Sequence, residues 1–148
     1  MARNTLKGKY KVKNPKKYAG DPTKVIYRSS WERQLMRWCD ANPAVEKWGS
    51  ETVVIPYICQ TDNKPHRYFM DFVVKINGKT TLIEVKPHSQ TLPPKKPKRK
   101  TKKYINEVMT YVKNQSKWAA AEAYAENRGW QFRVYTENEL RRLGLRIL

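Results

Sequence analysis

Apolar and polar positions change period several times along the chain, and each change marks an element. In YRSSWERQLMRWCDANP, Trp31, Leu35, Trp38 and Cys39 recur at the spacing of a helix with one buried face. Ser29 offers an N-cap oxygen ahead of them and Asn42-Pro43 ends them, so a helix over 30–41 is expected. ETVVIPYI is a β-branched run read as one strand, with Pro56 pointing to an edge or a bulge because proline cannot donate to a ladder. A polar turn follows over 61–65. RYFMDFVVKINGKTTLIEVK reads as two strands joined by Asn77-Gly78, a pair that accepts the positive φ values of a tight hairpin turn. Helical spacing returns from Thr101 to Asn127 through Tyr104, Val108, Tyr111, Val112, Gln115, Trp118 and Ala119, and Gly129 closes it. WQFRVYT is a short strand, and ENELRRLGL opens a last helix near Glu137.

The order helix, strand, hairpin, helix, strand, helix implies a mixed sheet covered on both faces, a three-layer α/β/α arrangement. With 148 residues the chain has the size of one domain. Residues 1–24 lack apolar periodicity and read as an irregular basic arm that orders on a partner. Residues 25–148 form the domain, interrupted over 87–103 by a proline- and lysine-rich loop.

Charge narrows the partners. Lys and Arg number 31 against 13 Asp and Glu, a formal net charge of +18 at pH 7, which favours a polyanion, most simply DNA. No segment approaches the roughly 18 apolar residues of a membrane-spanning helix, and Met1 to Tyr10 has no signal-peptide core, so an intracellular, non-secreted protein is expected. Cys39 and Cys59 belong to no Cys-x-x-Cys pair. With His66 and His88 they would offer four zinc ligands, but the spacings match no common zinc module, and two reduced, packed thiols are the plainer expectation.

The hairpin carries chemistry. With a two-residue turn at Asn77-Gly78, Ile76 pairs with Lys79, and counting outward sets Asp71 directly opposite Glu84, with Phe69, Asp71, Val73 and Lys75 sharing a face with Lys86, Glu84, Leu82 and Thr80. Like charges at that distance repel. Lys86, diagonal to Asp71, neutralises one unit of charge; a divalent cation neutralises both, and two carboxylates with free coordination positions suit Mg²⁺ or Mn²⁺. An ammonium beside such an ion can hold the attacking water or stabilise charge on a phosphorane-like transition state, which points to phosphodiester hydrolysis. The competing reading makes Glu84 and Lys86 a solvated sheet face and Asp71 an ordinary rim acid.

With Glu32 upstream on the first helix, and with the phrases YRSSWE, RYFMDF and LIEVKPH followed by GWQFRVYTENEL, the chain resembles the restriction-endonuclease-like superfamily, whose core motif is written PD-(D/E)xK. Within it the sequence is most similar to TnsA-like transposon endonucleases and, closer still, to the head completion nucleases of T-even-type tailed phages. Met70 stands where the motif has proline. The resemblance implies a restriction-endonuclease-like α/β/α fold and a Mg²⁺- or Mn²⁺-dependent DNA endonuclease. Asp71, Glu84 and the Val85 carbonyl would bind the ion, Lys86 would orient the water, and Glu32 would be a further catalytic acid. It also implies phage portal or neck proteins as partners, and residence in the host cytoplasm during assembly and then in the virion head or neck. A lone centre suggests nicking, and a double-strand cut would ask for a homodimer.

Several residues carry two readings. Ser29-x-x-Glu32 is also a capping box. Glu51 lies near a strand start, where an exposed acid is ordinary, and His88 and Gln115 are either near the site or plain surface. Lys95, Lys96, Lys98, Arg99, Lys100, Lys102 and Lys103, with the arm from Lys7 to Lys17, are expected to contact DNA phosphates rather than only to solubilise the chain; Tyr18 or Tyr104 would stack on a frayed base or merely pack. Two other functions remain open: a non-catalytic basic DNA-binding protein of the virion, and a transposition nuclease that needs a partner.

Overall fold

A computed structural model of the chain describes residues 7–147, so the first six positions of the basic arm lie outside the described residues. In chain order the elements are β1 (Gly8–Lys9), β2 (Ile26–Tyr27), α1 (Ser30–Ala41), β3 (Val45–Ser50), β4 (Val54–Cys59), β5 (Lys64–Phe69), β6 (Phe72–Ile76), β7 (Lys79–Val85), α2 (Lys102–Asn127), β8 (Gln131–Tyr135) and α3 (Glu137–Arg142). The central sheet has the order β3-β6-β7-β8, antiparallel except for the parallel β7–β8 pair that α2 connects; β4–β5 and β1–β2 are separate two-stranded pairs.

Local chemistry explains most boundaries. The Ser29 side chain accepts from the Glu32 N–H to start α1, and Asn42, extended ahead of Pro43, ends it. Asn77 and Gly78 both have positive φ, 51° and 74°, the two-residue turn that matches the twist of its strands. The α2 helix begins on the Thr101 hydroxyl and ends with Gly129 at φ 71°, where the Trp130 N–H returns to the Ala125 carbonyl.

Three expectations are corrected. RYF and DFVVKI are not one strand: Arg67 to Phe69 belong to β5, which pairs with β4, and the chain breaks at Met70-Asp71 before β6. Phe69 therefore does not share the central-sheet face. The strand β3 was not expected, because a bulge between Val45 and Lys47 resets the alternation and buries Val45 and Trp48 three residues apart. Residues 7–24 order on the domain itself: Tyr10 and Tyr18 are buried edge-on against Trp48, with ring centroids 6.1 and 4.8 Å away.

Apolar side chains fill both sides of the sheet. On one face Trp31, Leu35, Met36 and Cys39 of α1 and Leu140 of α3 pack on Trp48, Phe72, Val74 and Ile83. On the other, Ala121 and Ala125 of α2 and the β4–β5 hairpin pack around Leu82, Val73 and Phe132. Helices on both faces of a mixed sheet make the three-layer α/β/α arrangement. No helix among the described residues is long and apolar enough to cross a membrane.

Candidate active site

The hairpin register follows its turn. Ile76 pairs with Lys79 and Phe72 with Ile83, so Asp71, one residue before β6, stands against Glu84 near the end of β7. Their neighbours on that face, Val73 and Leu82, lie under α2.

Glu84 is only 6% exposed. Its Oε1 accepts from the Tyr68 hydroxyl at 2.6 Å, and the Lys86 Nζ lies 3.7 Å from its Oε2. The Asp71 Oδ2 accepts from the Val85 N–H at 2.8 Å, and no Lys or Arg among the described residues lies within ion-pair distance of it. Burial, with the Glu84 charge added, raises the Asp71 pKa well above the usual carboxylate range. Tyr68 is pushed up by burial and by Glu84, so it stays a neutral donor.

Glu32 comes from the first turn of α1. Its Oε1 accepts from the Arg28 N–H at 3.2 Å, one residue short of a reciprocal capping box, and burial raises its pKa, with Glu51 and Glu84 adding to the effect. Glu32 therefore caps the backbone ahead of α1 while its carboxyl feels the Glu84 charge. Glu51 stands at the margin: its φ is 56°, its N–H reaches the carbonyls of Met70 and Asp71, and its carboxylate pairs with Arg28. A non-glycine residue in this backbone region costs energy and marks a place that the surroundings hold rigid.

A residue that pattern reading passed over comes from α2. The Lys117 Nζ lies 5.3 Å from the centre of the Tyr68 ring. Burial lowers its pKa, with Lys113 and Lys86 adding to the effect and Glu84 and Asp71 opposing it. The signal was present: Asn114, Lys117, Ala121 and Ala125 follow inward helical spacing, and a lysine in such a stripe needs an anionic neighbour.

Other candidates fall elsewhere. Gln115 is exposed on α2, and His88 is exposed with its N–H bound to the Glu137 carboxylate. Tyr18 is buried and so is not offered for stacking; Tyr104 is half-buried. Lys95, Lys96, Lys98, Arg99 and Lys100 are exposed along the irregular approach to α2, and Lys102 and Lys103 are exposed in its first turn.

The acidic pair fits a divalent cation. Two partly desolvated carboxylates that repel each other, a third at the same end of the sheet and only hard oxygen donors are the set that Mg²⁺ or Mn²⁺ prefers. An isolated fold would not gain from this arrangement.

Comparison with known proteins identifies the family. Residues 42–137 match the model of the TnsA-like endonuclease N-terminal family, a span that contains Asp71, Glu84 and Lys86. The chain is 47% identical over 144 residues to the head completion nuclease of Enterobacteria phage T4, with 94% of this chain and 96% of that protein covered. No solved structure gives a significant match. The family match over the whole sheet and its acidic hairpin, together with nearly half identity along almost the full length, places this chain in the TnsA-like endonuclease family.

Proposed function

We propose that the chain is a divalent-metal-dependent DNA endonuclease that acts in phage head completion, on the end of the packaged genome. The observation that carries the site assignment is the pair Asp71 and Glu84, set against each other on a tight hairpin with Glu32 beside them. Asp71, Glu84 and the Val85 carbonyl would hold the ion. A bound divalent ion would make water a stronger nucleophile and offset charge on the scissile phosphate.

The chain's own residues divide the remaining work. Tyr68 and the Val85 N–H each occupy one carboxylate oxygen, which fixes the direction in which the other oxygens point. Lys86, half-buried beside Glu84, holds the attacking water. Lys117, on the opposite wall, stabilises charge that grows on the phosphate oxygens. Glu32 orients the water or assists a second ion.

DNA is held outside this centre by the basic run 95–103. The first turn of α2 has no acid, and Lys102 and Lys103 there oppose the helix dipole. Charge placed against its own helix is best explained by phosphate contacts. The T4 relative's name, head completion nuclease, supports the virion role and contact with portal or neck proteins.

The test is cleavage of plasmid and linear duplex DNA with Mg²⁺, with Mn²⁺ and with EDTA. Metal-dependent nicking that Asp71→Asn abolishes, with salt-sensitive DNA binding kept, is the expected result. Equal cleavage by wild type and Asp71→Asn, or cleavage undiminished by EDTA, would overturn the assignment.

A further inference from the structure

The turn between β4 and β5 gathers three ligand-bearing side chains far along the chain from the acidic hairpin. One ligand atom each from Cys59, Asp62 and His66 lies within 4.8 Å of the others. Cys59 ends β4, Asp62 sits in the turn, and His66 faces Tyr57 across the pair, which puts it on the same side as Cys59.

The backbone holds the three in place. Asn63 takes a positive φ of 57° and its N–H returns to the Cys59 carbonyl at 2.7 Å. Asp62 uses Oδ1 to accept from the Lys64 N–H at 3.0 Å, which leaves Oδ2 to meet the His66 Nε2 at 2.8 Å. The Tyr57 ring lies 5.7 Å from the imidazole and limits its rotation. Cys59 Sγ lies 3.0 Å from the Thr61 hydroxyl.

A surface Asp62–His66 ion pair explains only part of this. Both side chains are more than a third exposed, and such pairs contribute at most about 1 kcal/mol. It makes no use of the Cys59 thiol, which packs at the edge of the β4–β5 core within reach of both.

We propose that Cys59, Asp62 and His66 bind one zinc ion, at a site separate from the acidic centre, with water in the fourth position. Thiolate, imidazole and carboxylate together form a donor set that zinc takes and magnesium refuses. The thiol proton leaves to solvent as the Zn–S bond forms. Zinc sits about 2.3 Å from sulfur and about 2.0 Å from nitrogen, so the sulfur must draw nearer while the Asp62–His66 hydrogen bond gives way and its two atoms spread slightly, which the exposed Asp62 and His66 side chains can do by rotating. Cys39 and His88 take no part: Cys39 is in the core on the α1 side, and His88 follows β7.

The ion would staple a hairpin that lies outside the central sheet. That hairpin carries Tyr68, the donor to Glu84, so the site supports the catalytic acids from below.

The full chain, with the acidic centre saturated by Mg²⁺, is titrated with Co²⁺ and then Zn²⁺. A thiolate-to-cobalt charge-transfer band saturating at one equivalent and displaced by zinc is expected, together with a zinc-dependent rise in Tm. Cys59→Ser removes the band, His66→Ala weakens binding by about 100-fold, and Asp71→Asn leaves both signals unchanged. His66→Ala alters a half-exposed side chain and keeps the test decisive if Cys59→Ser fails to fold. Folded wild type without the band, a band that survives Cys59→Ser, or a cobalt affinity left unchanged by His66→Ala overturns the proposal.

Discussion

Buried acids on opposite faces of one sheet have opposite surroundings. On the α1 side, Asp40 is 2% exposed and accepts from the Tyr10 hydroxyl at 2.8 Å, the Lys13 N–H at 2.7 Å and the Asn14 N–H at 3.0 Å. It pins the basic arm to the domain. On the α2 side, Asp71 and Glu84 face each other with one neutral donor apiece and a single ammonium at 3.7 Å. Burial is shared by both places; satisfaction is not. A carboxylate surrounded by donors stabilises the fold, whereas two set against each other with few donors are held by the fold at its own cost.

The largest expected effect separates these regions by activity. Asp71→Asn should lower metal-dependent cleavage by about 1,000-fold, while the metal-free protein melts no lower than wild type because a repulsion is removed. A large fall in Tm would place Asp71 with Asp40 as a structural acid and break the contrast. Next comes the converse. Asp40→Ala should destabilise by about 3 kcal/mol in denaturant unfolding, since a buried hydroxyl and two N–H groups lose their acceptor, yet cleavage per folded molecule should stay at the wild-type rate.

A smaller effect tests the α2 wall. Lys117→Ala should reduce cleavage by about 10-fold with little change in DNA affinity, and Lys117→Arg should restore part of it. Loss of affinity with an unchanged rate would make Lys117 a DNA-binding residue instead.

The smallest effect is in pH. Asp71 and Glu32 bind protons more tightly in the folded protein than in the unfolded chain, because burial raises both pKa values. Metal-free stability should therefore fall as pH rises from the ordinary carboxylate range through the raised native values. Saturating Mg²⁺ should flatten that fall in wild type, and Asp71→Asn should reduce it without metal. A curve that rises over the same window would mean that these acids are paired in the native state.

Much of this was legible in local chemistry. Ser29 and Pro43 bracket α1, Asn77-Gly78 sets the hairpin, and Thr101 and Gly129 bound α2, because caps and turns depend on a few adjacent residues. From the turn alone the opposition of Asp71 and Glu84 follows, since pairing in a hairpin is counted outward from its loop. The break at Met70-Asp71 was hidden, because strand residues alternate in the same way whichever partner they have.

Neighbouring residues alone thus specify the capped and turned elements, the acidic pair across the turn and the family resemblance that named Glu32. Tertiary structure alone decided that Glu32 and Lys117 approach that pair, that Tyr68 holds Glu84, that Asp40 anchors the arm, and that Cys59, Asp62 and His66 meet. The reason is range: turns and caps are settled by backbone geometry within a few residues, whereas the neighbours of a buried charge come from whichever distant elements the apolar core packs together.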